Sequence, residues 1–136
     1  MIKQAFILLF VILTLNSCSS RDSITELSES RWVVTAISGK TITSDETAKG
    51  LPSINFGENG KLFGSTGCNN YTGFFKLKGK SASFNPNAMT KIMCPGNVEQ
   101  NFLIAIRQVT NYKIDGDKLD LLNGSKTVIS LVKTEK

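Results

Sequence analysis

At 136 residues the chain has room for one domain, and its 20% charged residues, 11 glycines and 3 prolines are ordinary globular composition. It contains no histidine, which excludes Ser-His-Asp and Cys-His catalysis and every histidine-ligated metal site. The formal charge is +5, from 16 basic and 11 acidic residues. The lysines are scattered through turns, as at Lys76, Lys78 and Lys80, which reads as a solvated surface, the alternative being a nucleic-acid or anionic-surface patch.

The chain opens MIKQAFILLFVILTLNSC. Lys3 supplies a positive n-region, and Ala5 to Leu15 is an apolar run with Thr14 its only hydroxyl. That run is short of the roughly 20 residues a membrane span needs and suits a secretory h-region. Leu15-Asn16-Ser17-Cys18 resembles a bacterial lipobox, in which the cysteine becomes the lipidated first residue. Residues 1–17 are therefore expected to be a lipoprotein signal peptide, and Cys18 the lipid attachment that holds the chain at a membrane surface. An ordinary cleaved signal and an uncleaved anchor helix are the alternatives. Ser19, and no aspartate, follows the cysteine; by similarity to Gram-negative sorting rules this favours the outer membrane, facing the periplasm. Loss of residues 1–17 leaves 15 basic and 11 acidic residues, a charge of +4. Residues 18–30, with the polar stretch SSRDSITELSES, read as the lipidated N-terminus and a short tether, with a helical turn near Ile24 to Leu27.

From Arg31 the chain turns strand-like. RWVVTAI is rich in β-branched and aromatic residues. SGKTITSDETAKGLP follows as a polar connector with a short hairpin arm. PSINF, the turn GENG and KLFGS come next, and then TGFFKLKG and SASFN, which pair across Gly79-Lys80. PNAMTKIMCPG reads as an irregular loop.

In NVEQNFLIAIRQV the period changes. Val98, Phe102, Ala105, Ile106 and Val109 fall on one helical face. Asn97 is expected to cap this helix with Gln100 in a loose capping box, and Glu99, Asn101, Arg107 and Gln108 are placed on the other face. Strands resume with NYKID, KLDLL and TVISLVK, separated by Gly116-Asp117 and Asn123-Gly124 turns. The fold class is thus α+β, mostly β: a small antiparallel curved sheet or partly open barrel of about eight strands, with one inserted helix covering an end or a gap. The domain is expected over 31–133, with a tail at 134–136.

Of the 3 cysteines, the lipid takes one. Cys68 and Cys94 remain, in a compartment that oxidises thiols. A disulfide between them is the default; it would close a loop of roughly 25 residues, worth on the order of 3 kcal/mol. The alternatives are a catalytic thiol, which lacks an activating base, a metal site, which lacks further ligands, and two packed thiols.

Several motifs stand in order: Trp32, P-x-I-x-F at Pro52 to Phe56, G-x-x-G-C-N-x-Y-x-G at Gly64 to Gly73, M-x-x-x-M-C at Met89 to Cys94, E-x-x-F at Glu99 to Phe102, and G-D-x-L-x-L at Gly116 to Leu121. This set resembles the META domain family over nearly all of residues 30–133. Lys91-Ile92 departs from the small residues usual there. The resemblance implies a small mostly-β barrel or sheet with one helix, a link to stress resistance, drug tolerance and secretion or virulence, and no catalytic mechanism. The glycines around Cys68 read first as backbone bends. A competing reading makes Asn69, Asn70 and Tyr71, with Lys91, a binding rim beside the disulfide. Trp32 reads as core, and DGDKLD at Asp115 to Asp120 as a hairpin turn and not a calcium loop.

The expected function is that of a non-enzymatic envelope lipoprotein that supports stress or drug tolerance by binding a partner protein. The alternative is a carrier or pilotin-like binder of a lipid or other apolar ligand inside the barrel. Neither reading needs a cofactor or a metal. Bulky inward side chains favour the first and a continuous apolar cavity the second.

Overall fold

The computed structural model describes residues 20–135; the signal segment and Cys18 lie outside them. Its elements run α1 (Ser20–Ser28), β1 (Arg31–Ile37), β2 (Lys40–Thr41), β3 (Ser53–Phe56), β4 (Lys61–Ser65), β5 (Asn70–Lys78), β6 (Ser81–Met89), α2 (Val98–Arg107), β7 (Asn111–Asp115), β8 (Lys118–Asn123) and β9 (Lys126–Thr134).

Eight strands form an antiparallel barrel in the order β1-β3-β4-β5-β6-β7-β8-β9, and β1 pairs with β9 to close it. The curved sheet or partly open barrel expected from the sequence is here a closed one. The two-residue arm β2 pairs with the upper part of β1, beyond the reach of β3. The weakest seam is β6–β7, whose ladder pairs only Ser81 with Asn111. The upper part of β6 therefore has no strand on that side, and α2, inserted between these two strands, packs on β6, β9 and β1. Its buried residues are Val98, Phe102, Ala105 and Ile106, the face that the helical period marked. The expected capping box is absent: Asn97 sits at the cap without a side-chain bond.

Alternation fills the barrel. Tyr71 and Phe75 point inward from β5, Ala82 and Phe84 from β6, and Leu119 and Leu121 from β8. Phe56 meets Phe75 and Phe84 edge-on, at centroid distances of 5.0 and 6.0 Å. Three bulges reset the phase. Thr35 is the extra residue of β1, so burial passes from Trp32 and Val34 to Ile37. Asn87 plays that part in β6, which continues through Pro86 to Met89 where the sequence suggested a loop. Val128 does so in β9 and gives two consecutive buried residues, Val128 and Ile129.

The N-terminal segment is more ordered than a tether. α1 buries Leu27, and the Trp32 indole N–H donates to the Leu27 carbonyl at 3.1 Å. The folded unit thus begins before Arg31. α1 lies at the end of the barrel that holds the β3–β4 turn, while the loops after β4 and β6 lie at the opposite end.

Candidate functional site: a disulfide-tied loop pair

The ladders bring two loops together. Ser65 pairs with Asn70 across β4–β5, and Tyr71 with Met89 across β5–β6, so the segments 66–69 and 90–97 leave the barrel side by side. The structure bonds Cys68 to Cys94, with Cα atoms 6.0 Å apart.

The first loop is a tight turn. The Thr66 N–H donates to the Asn69 carbonyl, and the Asn69 N–H to Thr66 Oγ1, both at 2.8 Å. Gly67 takes φ +90°, a backbone conformation that strains any other L residue, and a Cβ there would press on Thr47 Cγ2 at 3.0 Å; both favour glycine.

Asn69 then ties this turn to everything around it. Its Oδ1 accepts from Thr90 Oγ1 at 2.8 Å and from the Ile92 N–H at 2.6 Å. Its Nδ2 donates to the Ile92 carbonyl at 3.0 Å and to the Glu99 carboxylate, whose oxygens lie 2.9 and 3.1 Å away. Thr66 Oγ1 also hydrogen-bonds Glu99. One carboxamide therefore links three segments, with both its ends satisfied.

Two of the expected rim residues are accordingly interior. Asn69 is 2% exposed and spends its side chain on the loops themselves. Tyr71 is also 2% exposed; its ring lies 5.7 Å from that of Phe102, its hydroxyl donates to the Ser53 carbonyl at 2.9 Å, and burial pushes its phenol up. Asn70 and Lys91 are exposed, next to Ile92 at 45% and Met93 at 96% exposure. The surface of the site is thus Asn70 with Lys91 to Met93, and Asn69 and Tyr71 support it from below. Glu99, placed on the outer face by sequence, turns inward to Thr66 and Asn69.

A polar crevice of about 40 Å³ beside the disulfide is lined by Glu46, Thr47, Gly67, Pro95 and Glu99 among others; it has room for little more than water. Glu46 does not offer Glu99 a second free acid there. Its carboxylate accepts from the Thr43 N–H at 3.0 Å and from Lys40 at 3.3 Å, and these partners hold it below the usual carboxylate range.

Removing the disulfide by Cys68→Ala with Cys94→Ala should lower stability by about 3 kcal/mol, since the bond closes a 26-residue separation. Urea unfolding of the oxidised and double-mutant chains measures this; a midpoint shift worth under about 1 kcal/mol would mean that the hydrogen bonds alone fix the loops.

A closed antiparallel barrel, plugged at one seam by a helix and carrying a disulfide-tied loop pair, defines the class. Residues 25–136 match the META domain model, and the chain belongs to that family. It is 31% identical over 134 residues to the heat shock protein HslJ of Escherichia coli (strain K12), covering 96% of this chain and 89% of that one. Among solved structures it resembles a protein determined by NMR at TM-score 0.63 and 26% identity, covering 80% of this chain and 92% of that one. A DUF4847 family protein from Bacteroides vulgatus gives TM-score 0.65 at 17% identity, with 84% and 99% covered, and shows the shared fold.

Proposed function

We propose that this chain is a non-enzymatic, lipid-anchored envelope protein that supports stress tolerance by binding a partner protein through the rim at Asn70 and Lys91 to Met93. The observation that carries the reading is the rigid presentation of Met93. A residue 96% exposed sits in a loop fixed at Cys94 by the disulfide and at Ile92 by two bonds to Asn69. A preordered surface loses little entropy on binding, and an exposed methionine two residues after a lysine offers an adaptable apolar contact with a charge on the same loop. The stress role draws on the name of the relative HslJ. The envelope location draws on the lipobox-like ending at Cys18. Among the described residues no helix is long and apolar enough to cross a membrane; the anchor in this reading is the lipid on Cys18.

The barrel interior speaks against the carrier alternative. Trp32, Phe56, Tyr71 and Phe102 are each at most 2% exposed and occupy the space an apolar ligand would need. Binding, as opposed to catalysis, accords with the missing histidine and with a Glu99 committed to loop hydrogen bonds.

The test uses Asn70→Ala, Lys91→Ala and Met93→Asp, scored for rescue of a deletion strain under envelope stress and for stability. All three positions are exposed, so stability should stay within about 0.5 kcal/mol of wild type while rescue falls. Full rescue by all three would leave this rim without a binding role.

A further inference from the structure

We propose that the end of the barrel carrying α1 lies against an anionic membrane surface, with Lys76, Lys78 and Lys80 among the lipid headgroups; this rests on the reading of Cys18 as the lipidated residue. The argument starts from reach. Ser20 opens α1 two residues after Cys18, and extended chain spans at most about 3.6 Å per residue. The acyl attachment therefore lies within roughly 7 Å of the start of the helix.

That helix is docked. Leu27 is 1% exposed, and its carbonyl is held by the Trp32 indole. Ile24 and Ser28 share the wall of a shallow depression of about 330 Å³ with Gly57 to Gly60, Phe75 and Leu77. α1 thus packs on β3 and β5 at the end of the barrel that holds the β3–β4 turn and the β5–β6 hairpin. In this reading the lipid emerges at that end.

The tip of that hairpin is where the lysines gather. Lys76, Lys78 and Lys80 are exposed, and no ion pair among the described residues involves them. Exposed Lys61 and Phe74, the latter at 54% exposure, face each other across β4–β5 nearby. Glu26 and Glu29 of α1 and its following turn, Glu58, Asp115, Asp117 and Glu135 after β9 are the acids at this end. Basic residues within a Debye length of anionic headgroups are attracted to them, and in this reading a leash of two residues turns this end of the barrel to the bilayer. The same orientation turns Met93 and the disulfide rim away from the bilayer, toward a soluble partner.

The experiment takes the full chain, made with its leader and purified in detergent, into phosphatidylcholine vesicles with and without phosphatidylglycerol. Intact mass reports acylation, flotation reports anchoring, and acetylation followed by mass spectrometry reports the reactivity of each lysine. Cys18→Ala in solution is the reference. On phosphatidylglycerol vesicles Lys76, Lys78 and Lys80 should react roughly fivefold more slowly than in the reference, with Lys40, Lys49 and Lys91 unchanged. Acylated, floating chain whose lysines react alike at both ends would overturn the orientation and leave the anchor standing. Equal protection without phosphatidylglycerol would overturn the headgroup contact. Chain without acyl mass that fails to float would overturn both the anchor and this inference.

Discussion

Asn69→Ala should cost about 4 kcal/mol and lower the melting temperature by about 15–25 °C. The substitution removes no large volume. It leaves the Ile92 N–H and carbonyl, Thr90 and the Glu99 carboxylate without the partner that all of them share. Leaving several part-buried groups without a partner at once costs more than the net worth of any one bond. A double-mutant cycle with Glu99→Gln should show coupling above about 1 kcal/mol, because the two side chains are in direct contact. Asn69→Ala within about 1 kcal/mol of wild type would show that the disulfide alone orders the loops.

Trp32→Ala should cost at least as much, about 4–5 kcal/mol, for a different reason. Trp32 is wholly buried and is bonded to α1 through Leu27, so truncation both opens a cavity and unfastens the helix. Hydrogen exchange at the α1 amides should rise together with the loss of stability. Trp32→Phe keeps most of the volume and loses the indole bond, and should cost about 1–2 kcal/mol while still speeding exchange in α1. Unchanged exchange in both variants would mean that α1 is held by Leu27 packing and not by Trp32.

Local patterns in the sequence carry much of this fold. RWVVTAI, KLFGS and NYKID coincide with β1, β4 and β7, because β-branched and aromatic runs bounded by turn residues have few other uses. The inward face of α2 follows from a 3.6-residue period, and the pairing of Cys68 with Cys94 from counting thiols. Non-local features were hidden. Closure joins β1 to β9, with Arg31 opposite Thr134, and nothing near either strand announces its partner. The inward phase of β5 was ambiguous because Phe74 and Phe75 are adjacent and equally apolar; Phe75 points in and Phe74 out.

The site was harder to read than the barrel. Asn69 and Tyr71 belong to types common on binding surfaces, and only tertiary placement shows them occupied, one by loop backbone and the other by Ser53 and Phe102. Helical spacing placed Glu99 off the apolar stripe, which is correct as hydropathy and silent about a polar neighbour 30 residues away in sequence. Gly73 hints at such crowding in hindsight. A Cβ there would fall 2.1 Å from the Asn85 carbonyl oxygen, so the glycine marks the close approach of β5 and β6.

Photocrosslinking in living cells tests the central claim, that the molecule works by binding at its disulfide rim, most directly. A photoreactive residue at Met93 would be compared with one at Asn85, an exposed position on the outer face of β6. The account predicts a discrete protein adduct from position 93 under envelope stress, lost when Cys68 and Cys94 are both replaced by alanine, and none from position 85. Equal adducts from both positions, or none from position 93 in cells that the crosslinker variant still rescues, would contradict it.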